Sequence, residues 1–381
     1  MKGHALIGDV SREYSDNPPL APDIPHVVVA AEPRFDFSGG EYAELFARSD
    51  ATAFQHPLWL RHLFGTVAPR RDAEPCVVTG RDARQGTLLF ALPLMLRAKS
   101  GLTLLEAADL GVSDYAAPVI DRASRRTSDL SDIAGEVAAV LPSHDILRIR
   151  PVREEHLADW RLFFSAAPAA CDFSAHAVAL GKDYQAWRSA AYSPTFAKYL
   201  DRRKKRFLKL DGALLRRLAD PSEIGKAIDS MAALREGRFD GDMIALEFVC
   251  EFYRDVAVEG APSRLANTYV LEAAGEAVGY VFGLSHEGSF HYLLIGCDYT
   301  RHGKHSPGLL LYDAIIEDWI ASGGTSFDFT IGDEPFKADF GTVPTRMFEI
   351  TSGRTWRGKL ALAAMGGRQR LGALMGGGDK P

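Results

Sequence analysis

A basic loop separates a strand-like run from an apolar helix in residues 295–324, IGCDYTRHGKHSPGLLLYDAIIEDWIASGG. Four side chains of the loop can carry positive charge: Arg301, His302, Lys304 and His305. A helix N-terminus exposes unpaired backbone N–H groups and the positive end of the helix dipole, so it attracts anions. Ser306 can cap this helix, Pro307 suits its first turn, and Gly308 lets a ligand approach the backbone closely. The pattern predicts a seat for a phosphate or pyrophosphate; a capped helix after a solvated loop is the alternative.

Motifs for other site chemistries are missing from the sequence. It contains no GxxxxGK[ST] or GxGxxG phosphate loop, no HExxH zinc motif and no GxSxG nucleophile turn. Four scattered cysteines without a CxxC pair predict reduced core residues and no metal site: Cys76, Cys171, Cys250 and Cys297. A formal net charge of -6 and a pI near 6.0 argue against a general nucleic-acid binder.

The elements that must position the loop occur in a similar order in both halves of the chain. Each half reads as helices, several antiparallel strands, a further helix and a last strand. This order of elements indicates an α/β (α+β) fold with two lobes, each a mixed, mostly antiparallel sheet flanked by helices. We expect a mobile leader over 1–25, an N-terminal lobe over 26–168, a C-terminal lobe over 169–353 and a basic amphipathic tail over 354–381.

The order of strand, basic loop, apolar helix and strand resembles the coenzyme A-binding core of the GNAT N-acetyltransferases. The next stretch, FDFTIGDEPFKADFG, resembles the signature of the CelD/BcsL family, GNAT-like proteins linked to bacterial cellulose and other exopolysaccharide synthesis. Four other stretches are similar to that family: FQHPLWLRHLF, GVSDYAAPVI, YSPTFAKYLDRRKKRFLKLDG and LREGRFDG. The resemblance implies two tandem GNAT-like lobes, as in the Fem transferases.

The resemblance also implies acetyl-CoA as the acyl donor, and no metal. The donor would contact the strand end, the loop and the helix N-terminus through Ile295, Cys297, Arg301, Gly303, Lys304, Ser306 and Gly308. A general base would come from Asp298, His291 or Glu334, and Asp298 at the end of the strand is the favoured choice.

The acid that protonates the leaving thiolate departs from the family pattern. Many such enzymes use a tyrosine where this chain has Phe336. Tyr299, Tyr312 or a water molecule would then take that role.

Five residues are expected to hold the acceptor. Asp114 and Tyr115 lie in the family-like loop of the first lobe and would hydrogen-bond sugar hydroxyls. Arg203, on a basic helix, would reach the cleft between the lobes, while Arg238 lies in an Arg-aromatic turn. Lys337 would bind a phosphate or a sugar-linked diphosphate.

Three functions follow as hypotheses. The favoured one is an N-acetyltransferase that acts on an amino sugar, or on a lipid-linked or polymeric saccharide, in exopolysaccharide or adhesin assembly. The first alternative is a non-catalytic regulator that binds an anionic signal such as a cyclic dinucleotide, which the missing tyrosine would favour. The second is a Fem-like aminoacyl transferase, which the acidic net charge disfavours.

The expected location is the cytoplasm. No stretch reaches the ~20 apolar residues of a membrane span, and the first residues do not read as a signal peptide. Cations alternate with apolar residues in the tail, which suggests a contact with the inner-membrane surface or with a cyclic dinucleotide. A helix docked on the body is the alternative for the tail.

Overall fold

The computed structural model describes residues 27–126, 130, 133–238 and 241–375. The predicted leader over 1–25 lies outside the described residues, and so does the end of the predicted tail.

The first lobe combines a sheet with short helices. Its strands are β1 (Val27–Glu32), β2 (Ala73–Asp82), β3 (Leu88–Lys99), β4 (Leu102–Ala107), β5 (Val119–Ile120) and β6 (Ile146–Arg153). Its helices are α1 (Gly40–Ala47), α2 (Pro57–His62), α3 (Ala68–Arg70), α4 (Ile133–Val140) and α5 (Leu157–Phe163). Short helical turns cover Ala53–Gln55, Leu63–Val67, Ser124–Arg126 and Glu154–His156.

The second lobe carries the longer helices. Its strands are β7 (Pro168–Ala179), β8 (Leu214–Arg217), β9 (Ala266–Ala273), β10 (Glu276–His286), β11 (Ser289–Cys297), β12 (Ser326–Ile331) and β13 (Val343–Gly353). Its helices are α6 (Tyr184–Ala191), α7 (Pro194–Phe207), α8 (Pro221–Arg235), α9 (Glu247–Gly260), α10 (Tyr299–His302), α11 (Pro307–Ala321), α12 (Phe336–Asp339) and α13 (Trp356–Met375). Short turns cover Met243–Ala245 and Gly303–His305.

The strands of the described chain join in one sheet, in the order β1-β2-β3-β4-β6-β13-β7-β12-β11-β10-β9-β8, with β5 beside β3. Neighbouring strands are antiparallel except for one parallel pair in each lobe, β4 with β6 and β11 with β12. The chain between each parallel pair contains a helix, α4 in the first lobe and α11 in the second. The two lobes therefore share one plan, and the predicted α/β fold class is confirmed.

Strand β13 joins the two lobes, because it pairs with β6 on one side and with β7 on the other. The predicted boundary at residue 168 coincides with the beginning of β7. Strand β7 pairs with β12 and β13, which both belong to the second lobe. The division at this point stays a prediction, since one sheet runs through it.

Packing of α8 and α9 fixes the first lobe against the second. The ring of Trp59 on α2 meets the ring of Phe252 on α9 edge-on, with centroids 4.8 Å apart. The Trp59 Nε1–H also donates a hydrogen bond to Ser113 Oγ at 2.9 Å. These buried contacts hold the loop that carries Asp114 against the second lobe.

On the other face of the sheet, α11 buries apolar side chains around most of its circumference, including Leu311, Ile315 and Ile316. Such a helix is stabilised by packing rather than by an amphipathic stripe. Helix α7 is capped by Ser193, whose hydroxyl accepts from the backbone N–H of Phe196 at 3.1 Å. This agrees with the capping predicted from sequence.

The first residues of the tail contact the first lobe, and several apolar side chains of α13 are exposed. Thr355 Oγ1 lies 2.5 Å from the Asp145 carboxylate, and Arg357 bonds the backbone of Gly101. Trp356 and Leu360 are 74% and 63% exposed. The docked turn agrees with the docked-helix alternative, and the membrane and cyclic-dinucleotide contacts stay predictions.

Candidate active site

Strands β11 and β12 diverge after a short parallel contact. Their paired residues are Ser289 with Ser326, Phe290 with Phe327, and His291 with Asp328. An extra residue at Leu293 then interrupts the pairing of β11 with β10, and the pairing of β12 with β7 shifts after Asp328. Because bulges bend strands and increase their twist, two bulges at one level separate the strands. Leu293 is left without a partner on β12.

A pocket of about 240 Å³ lies at this divergence and is built by both lobes. The first lobe contributes the loop with Asp114, and the second contributes the bulge at Leu293 and Leu294. The remaining lining residues are Gly111, Val112, Gly241, Asp242, Met243, Ile244 and Tyr253. We call this the splay pocket.

Asp114 is the carboxylate that faces the splay pocket. It is half-buried and contacts the hydroxyl of Thr330, at the irregular point of β12. Burial raises the pKa of Asp114 to about 7, and the nearby charge of Asp328 acts in the same direction. The Thr330 hydrogen bond opposes this rise only in part. A carboxylate with such a pKa can accept a proton near neutral pH.

Tyr253 on α9 lines the same pocket. Its hydroxyl makes no hydrogen bond within the described part of the chain. Burial raises its pKa, and the charge of Asp114 adds to that rise, so the phenol keeps its proton. Tyr253 can therefore donate a hydrogen bond into the pocket.

Beside the pocket, Asp328 forms a buried polar cluster between the lobes. Tyr115 Oη lies 3.0 Å from both carboxylate oxygens, and Arg153 donates at 3.1 Å. His291 Nδ1 lies 3.4 Å from Oδ2. Although burial alone would raise the pKa of Asp328, His291, Arg153 and the backbone N–H of Thr330 hold it below its usual range.

The loop before α11 has the predicted position but a different internal arrangement. A Cβ built on Gly308 would lie 2.6 Å from Tyr299 Oη and 3.3 Å from Ile295 Cδ1. Tyr299 therefore lies over the helix N-terminus, and the guanidinium of Arg238 lies 4.3 Å above its ring. Cys297 is buried beside Tyr299, and burial raises the pKa of its thiol to about 12.

The N-cap position of α11 is Ser306, as predicted, but its side chain does not cap the helix. Ser306 has a left-handed backbone with φ 55°, and its hydroxyl lies 2.8 Å from Tyr199 Oη. His305 next to it is 2% exposed, and neither ring nitrogen has a hydrogen-bond partner among the described residues. Gly303 begins the short turn that carries His305.

The favoured base, Asp298, is corrected by the structure. Its carboxylate caps α10, accepting from the backbone N–H of Arg301 at 2.9 Å, and also pairs with the Arg301 side chain. These bonds lower the pKa of Asp298, which makes it a poor proton acceptor. Arg301 pairs with both Asp298 and Glu276, and its contact with the donor stays a prediction.

Lys337 is also corrected, because its ammonium group is buried and fully used. Its Nζ donates to the carbonyl oxygens of Ile331 and Gly332 at 2.9 and 2.8 Å and pairs with Glu334 at 2.9 Å. An ammonium has three protons, so none remains for a phosphate. Glu334 is exposed and bound to Lys337, which places it outside the splay pocket.

Three other predicted residues have partners that the sequence did not indicate. Arg203 bonds the backbone oxygen of Lys304, so it supports the loop rather than the inter-lobe cleft. Tyr115 is fully buried and uses its hydroxyl on Asp328, not on a sugar. Ile295 is expected to contact the donor through the backbone of its strand, and its carbonyl accepts a hydrogen bond from Arg235 at 3.0 Å.

Sequence reasoning missed Tyr253, Thr330 and Arg235. Tyr253 lies on an apolar helix face and reads as a core residue in a linear pattern. Thr330 has a positive φ of 57°, and a threonine in a sequence gives no indication of such a backbone conformation. Of the three, only Arg235 could have been noticed from the sequence. It lies in the last turn of α8, where a cation is favourable, and four residues after the apolar Met231.

Comparison with known proteins agrees with this geometry. Residues 194–338 match the family described as Acetyltransferase (GNAT) domain. The matched residues lie within the second lobe, which is therefore similar to GNAT acetyltransferase domains. The match includes the two diverging strands β11 and β12, the loop and helix α11 between them, and helix α7.

Solved structures share the fold over both lobes. FemX has 10% identity and a TM-score of 0.57, covering 83% of this chain and 96% of that chain. L-PGS from Bacillus licheniformis has 13% identity and a TM-score of 0.53, covering 88% and 97%. A conserved protein of unknown function from Bacteroides thetaiotaomicron VPI-5482 has 12% identity and a TM-score of 0.51, covering 85% and 98%. These likenesses show the fold alone, and a comparison with curated proteins gives no significant match.

Two further features of the described residues bear on function. No group of three or more His, Cys, Asp or Glu side chains among them is arranged to hold a metal ion. None of the helices in the described ranges combines the length and apolar character needed to cross a membrane.

Proposed function

We propose that this protein is an N-acetyltransferase that transfers an acetyl group from acetyl-CoA to an amino group of a saccharide. One observation carries the proposal: β11 and β12 diverge at their bulges, and the N-terminus of α11 follows directly after β11. The divergence offers backbone groups to an extended acyl chain, and the helix N-terminus offers N–H groups to a pyrophosphate.

The residues present fit the donor. Gly308 lacks the Cβ that would fill the space over the helix N-terminus. His305 is buried there with both nitrogens unpartnered, and Lys304 and Arg203 lie beside it. Donor entry requires Tyr299 to move from Gly308, and its exposure of 38% is compatible with such a movement.

Acetyl-CoA, when bound, would supply an activated thioester. Asp114 would accept a proton from the ammonium of the acceptor, so that the neutral amine can form the new C–N bond. The backbone N–H at the Leu293 bulge would hydrogen-bond the reacting carbonyl. Tyr253 would donate a hydrogen bond to the sulfur as it leaves as the CoA thiolate, a contact that Phe336 cannot make.

The proposed acceptor is an amino sugar, or a lipid-linked or polymeric saccharide that carries one, in exopolysaccharide or adhesin assembly. The sequence resemblance to the CelD/BcsL family supports this choice. The polar side chains of Asp114, Asp242 and Tyr253 in the splay pocket support an acceptor that carries hydroxyl and amino groups.

Calorimetric titration of acetyl-CoA and of free CoA tests the donor. We expect binding to the wild type and its loss in Gly308→Glu, because the new carboxylate would occupy the anion seat. Gly65→Glu is the matched control, since Gly65 is exposed with open space around its Cβ position. Lack of binding to the wild type, or equal loss in both variants, would contradict the proposal.

A further inference from the structure

Helix α7 carries a band of cations on the side that faces away from the rest of the molecule. Five exposed side chains form it: Lys198, Arg202, Lys205, Arg206 and Lys209. The first four follow at spacings of four, three and one residues, which places them on one side of the helix, and the last lies just beyond the helix end. The opposite side of α7 is buried through Phe196, Leu200 and Phe207. We call the five cations the basic face of α7.

The other charges of α7 have partners, whereas the basic face has none. Lys204 pairs with Glu317 on α11 at 3.2 Å. Asp201, the acidic residue of this helix, pairs with Arg188 on α6 at 2.7 Å. Within the described ranges of the chain, no ion pair involves a cation of the basic face. The helix therefore spends its other charges on internal contacts and leaves this face open to a ligand.

The basic face also weakens its own helix. Like charges three or four residues apart repel each other, and Arg202 has such neighbours in Lys198, Lys205 and Arg206. The carboxylate within the same reach, on Asp201, is bonded elsewhere. These cations are concentrated here although the whole chain has a formal net charge of -6. An anionic partner would remove the repulsion.

An exposed apolar side chain lies at the end of the basic face. Leu208 is 58% exposed, three residues after Lys205 and next to Lys209 in the sequence. A leucine beside cations combines the two interactions that hold a helix at a lipid surface, apolar insertion and attraction to anionic headgroups. A nucleic acid offers no apolar partner to this leucine, and the acidic net charge of the chain disfavours one.

We infer that the basic face of α7, together with Leu208, binds the surface of an anionic lipid bilayer. The helix would lie along the membrane plane, with its buried side still packed on the second lobe. Each cation close to the headgroups adds to the affinity, and salt weakens the attraction. This contact is separate from the one expected for the tail over 354–381.

The position of the basic face links it to the loop before α11. The ring of Phe207 lies 5.8 Å from the ring of His305, measured between centroids, and Arg203 bonds the backbone oxygen of Lys304. A lipid contact of α7 would therefore bring this loop close to the membrane. Among the proposed acceptors it favours a lipid-linked saccharide, a consequence that rests on the proposed function. The lipid contact itself does not depend on acetyl transfer.

Sedimentation of the full-length protein with lipid vesicles tests the inference. We expect binding to an equal mixture of phosphatidylglycerol and phosphatidylcholine, little binding to phosphatidylcholine alone, and release by added salt. Affinity for the mixed vesicles should fall roughly tenfold to 100-fold in the triple variant Arg202→Gln, Lys205→Gln, Lys209→Gln. The matched control removes three exposed cations elsewhere and should bind like the wild type: Arg84→Gln, Lys99→Gln, Lys226→Gln.

Urea unfolding separates a loss of binding from a loss of fold. The α7 variant should unfold at the same urea concentration as the wild type or at a higher one, because it removes like-charge repulsion. Equal binding to both kinds of vesicle, or equal effects of the two triple variants, would overturn the inference.

Further outcomes locate the contact and identify its partner. Loss of vesicle binding only in the tail variant Arg354→Gln, Arg357→Gln, Lys359→Gln would assign the contact to the tail and overturn the inference. Displacement from the mixed vesicles by single-stranded RNA, at equal concentrations of nucleotide and anionic lipid, would overturn the lipid assignment. Vesicle binding without acetyl transfer from acetyl-CoA would refute the proposed function but support the lipid contact.

Discussion

At the scale of single residues, the environment of each carboxylate decides its role. Asp298 is bonded to Arg301, which lowers its pKa and keeps it ionised. Asp114 is desolvated in a pocket, and its pKa rises to about 7. Two aspartates near one site therefore have opposite properties, and only Asp114 suits proton transfer at neutral pH.

Replacement of Asp114 by Asn should abolish the pH dependence of acetyl transfer and stabilise the fold. The folded-state pKa lies above that of an unfolded aspartate, so the native state binds more protons and the wild type loses stability as pH rises toward 7. The gain of stability in Asp114→Asn should be larger at about pH 8 than at about pH 5. Urea unfolding at both pH values measures it, and a gain that does not change with pH would contradict the assignment.

Lys337 should matter for stability rather than for ligand binding. Lys337→Met leaves the carbonyls of Ile331 and Gly332 unpaired, with an expected loss of about 2–4 kcal/mol in the free energy of unfolding. Lys205→Met, at an exposed lysine of α7, is the control and should change it by less than ~0.5 kcal/mol. If both variants unfold at the same urea concentration, the buried role of Lys337 is wrong.

At the scale of elements, the docking of α13 depends on a close backbone approach. A Cβ on Gly358 would lie 2.0 Å from the backbone oxygen of Asp145. Gly358→Ala should therefore displace the first turn of α13 and lower the free energy of unfolding by about 1–3 kcal/mol. Gly40→Ala in α1, where the Cβ would meet nothing within 4 Å, is the control. Equal urea midpoints for the two variants would contradict this packing.

Much of the element plan was predictable from sequence, and the site only in part. The strand before the loop and the apolar helix α11 follow from local patterns, since Pro307 and Gly308 mark the helix start. The bulge at Leu293 has no signature in residue type. The contact between Asp114 and Thr330 joins distant parts of the chain through packing of Trp59, which no local pattern encodes.

At the scale of the whole molecule, the lobes act as one unit. Strand β13 pairs with both β6 and β7, and the splay pocket takes residues from both lobes. The loop that carries Asp114 is held in place by contacts that cross between the lobes. The first lobe therefore completes the site that the second lobe begins.

Unfolding should accordingly occur in a single cooperative transition. Separation of the lobes would break the β13 pairs and expose the packed rings of Trp59 and Phe252. Differential scanning calorimetry and urea unfolding followed by circular dichroism should give coincident midpoints. Two resolved transitions would show that the lobes are independent.

The central claim is that this chain transfers an acetyl group with Asp114 as the base. The most direct test is release of free CoA thiol from acetyl-CoA in the presence of a deacetylated chitosan oligomer. We predict acceptor-dependent release that rises with pH through about pH 7 and falls roughly 100-fold or more in Asp114→Asn, whereas Asp298→Asn retains most of it. Full activity of Asp114→Asn, or loss only in Asp298→Asn, would contradict the account.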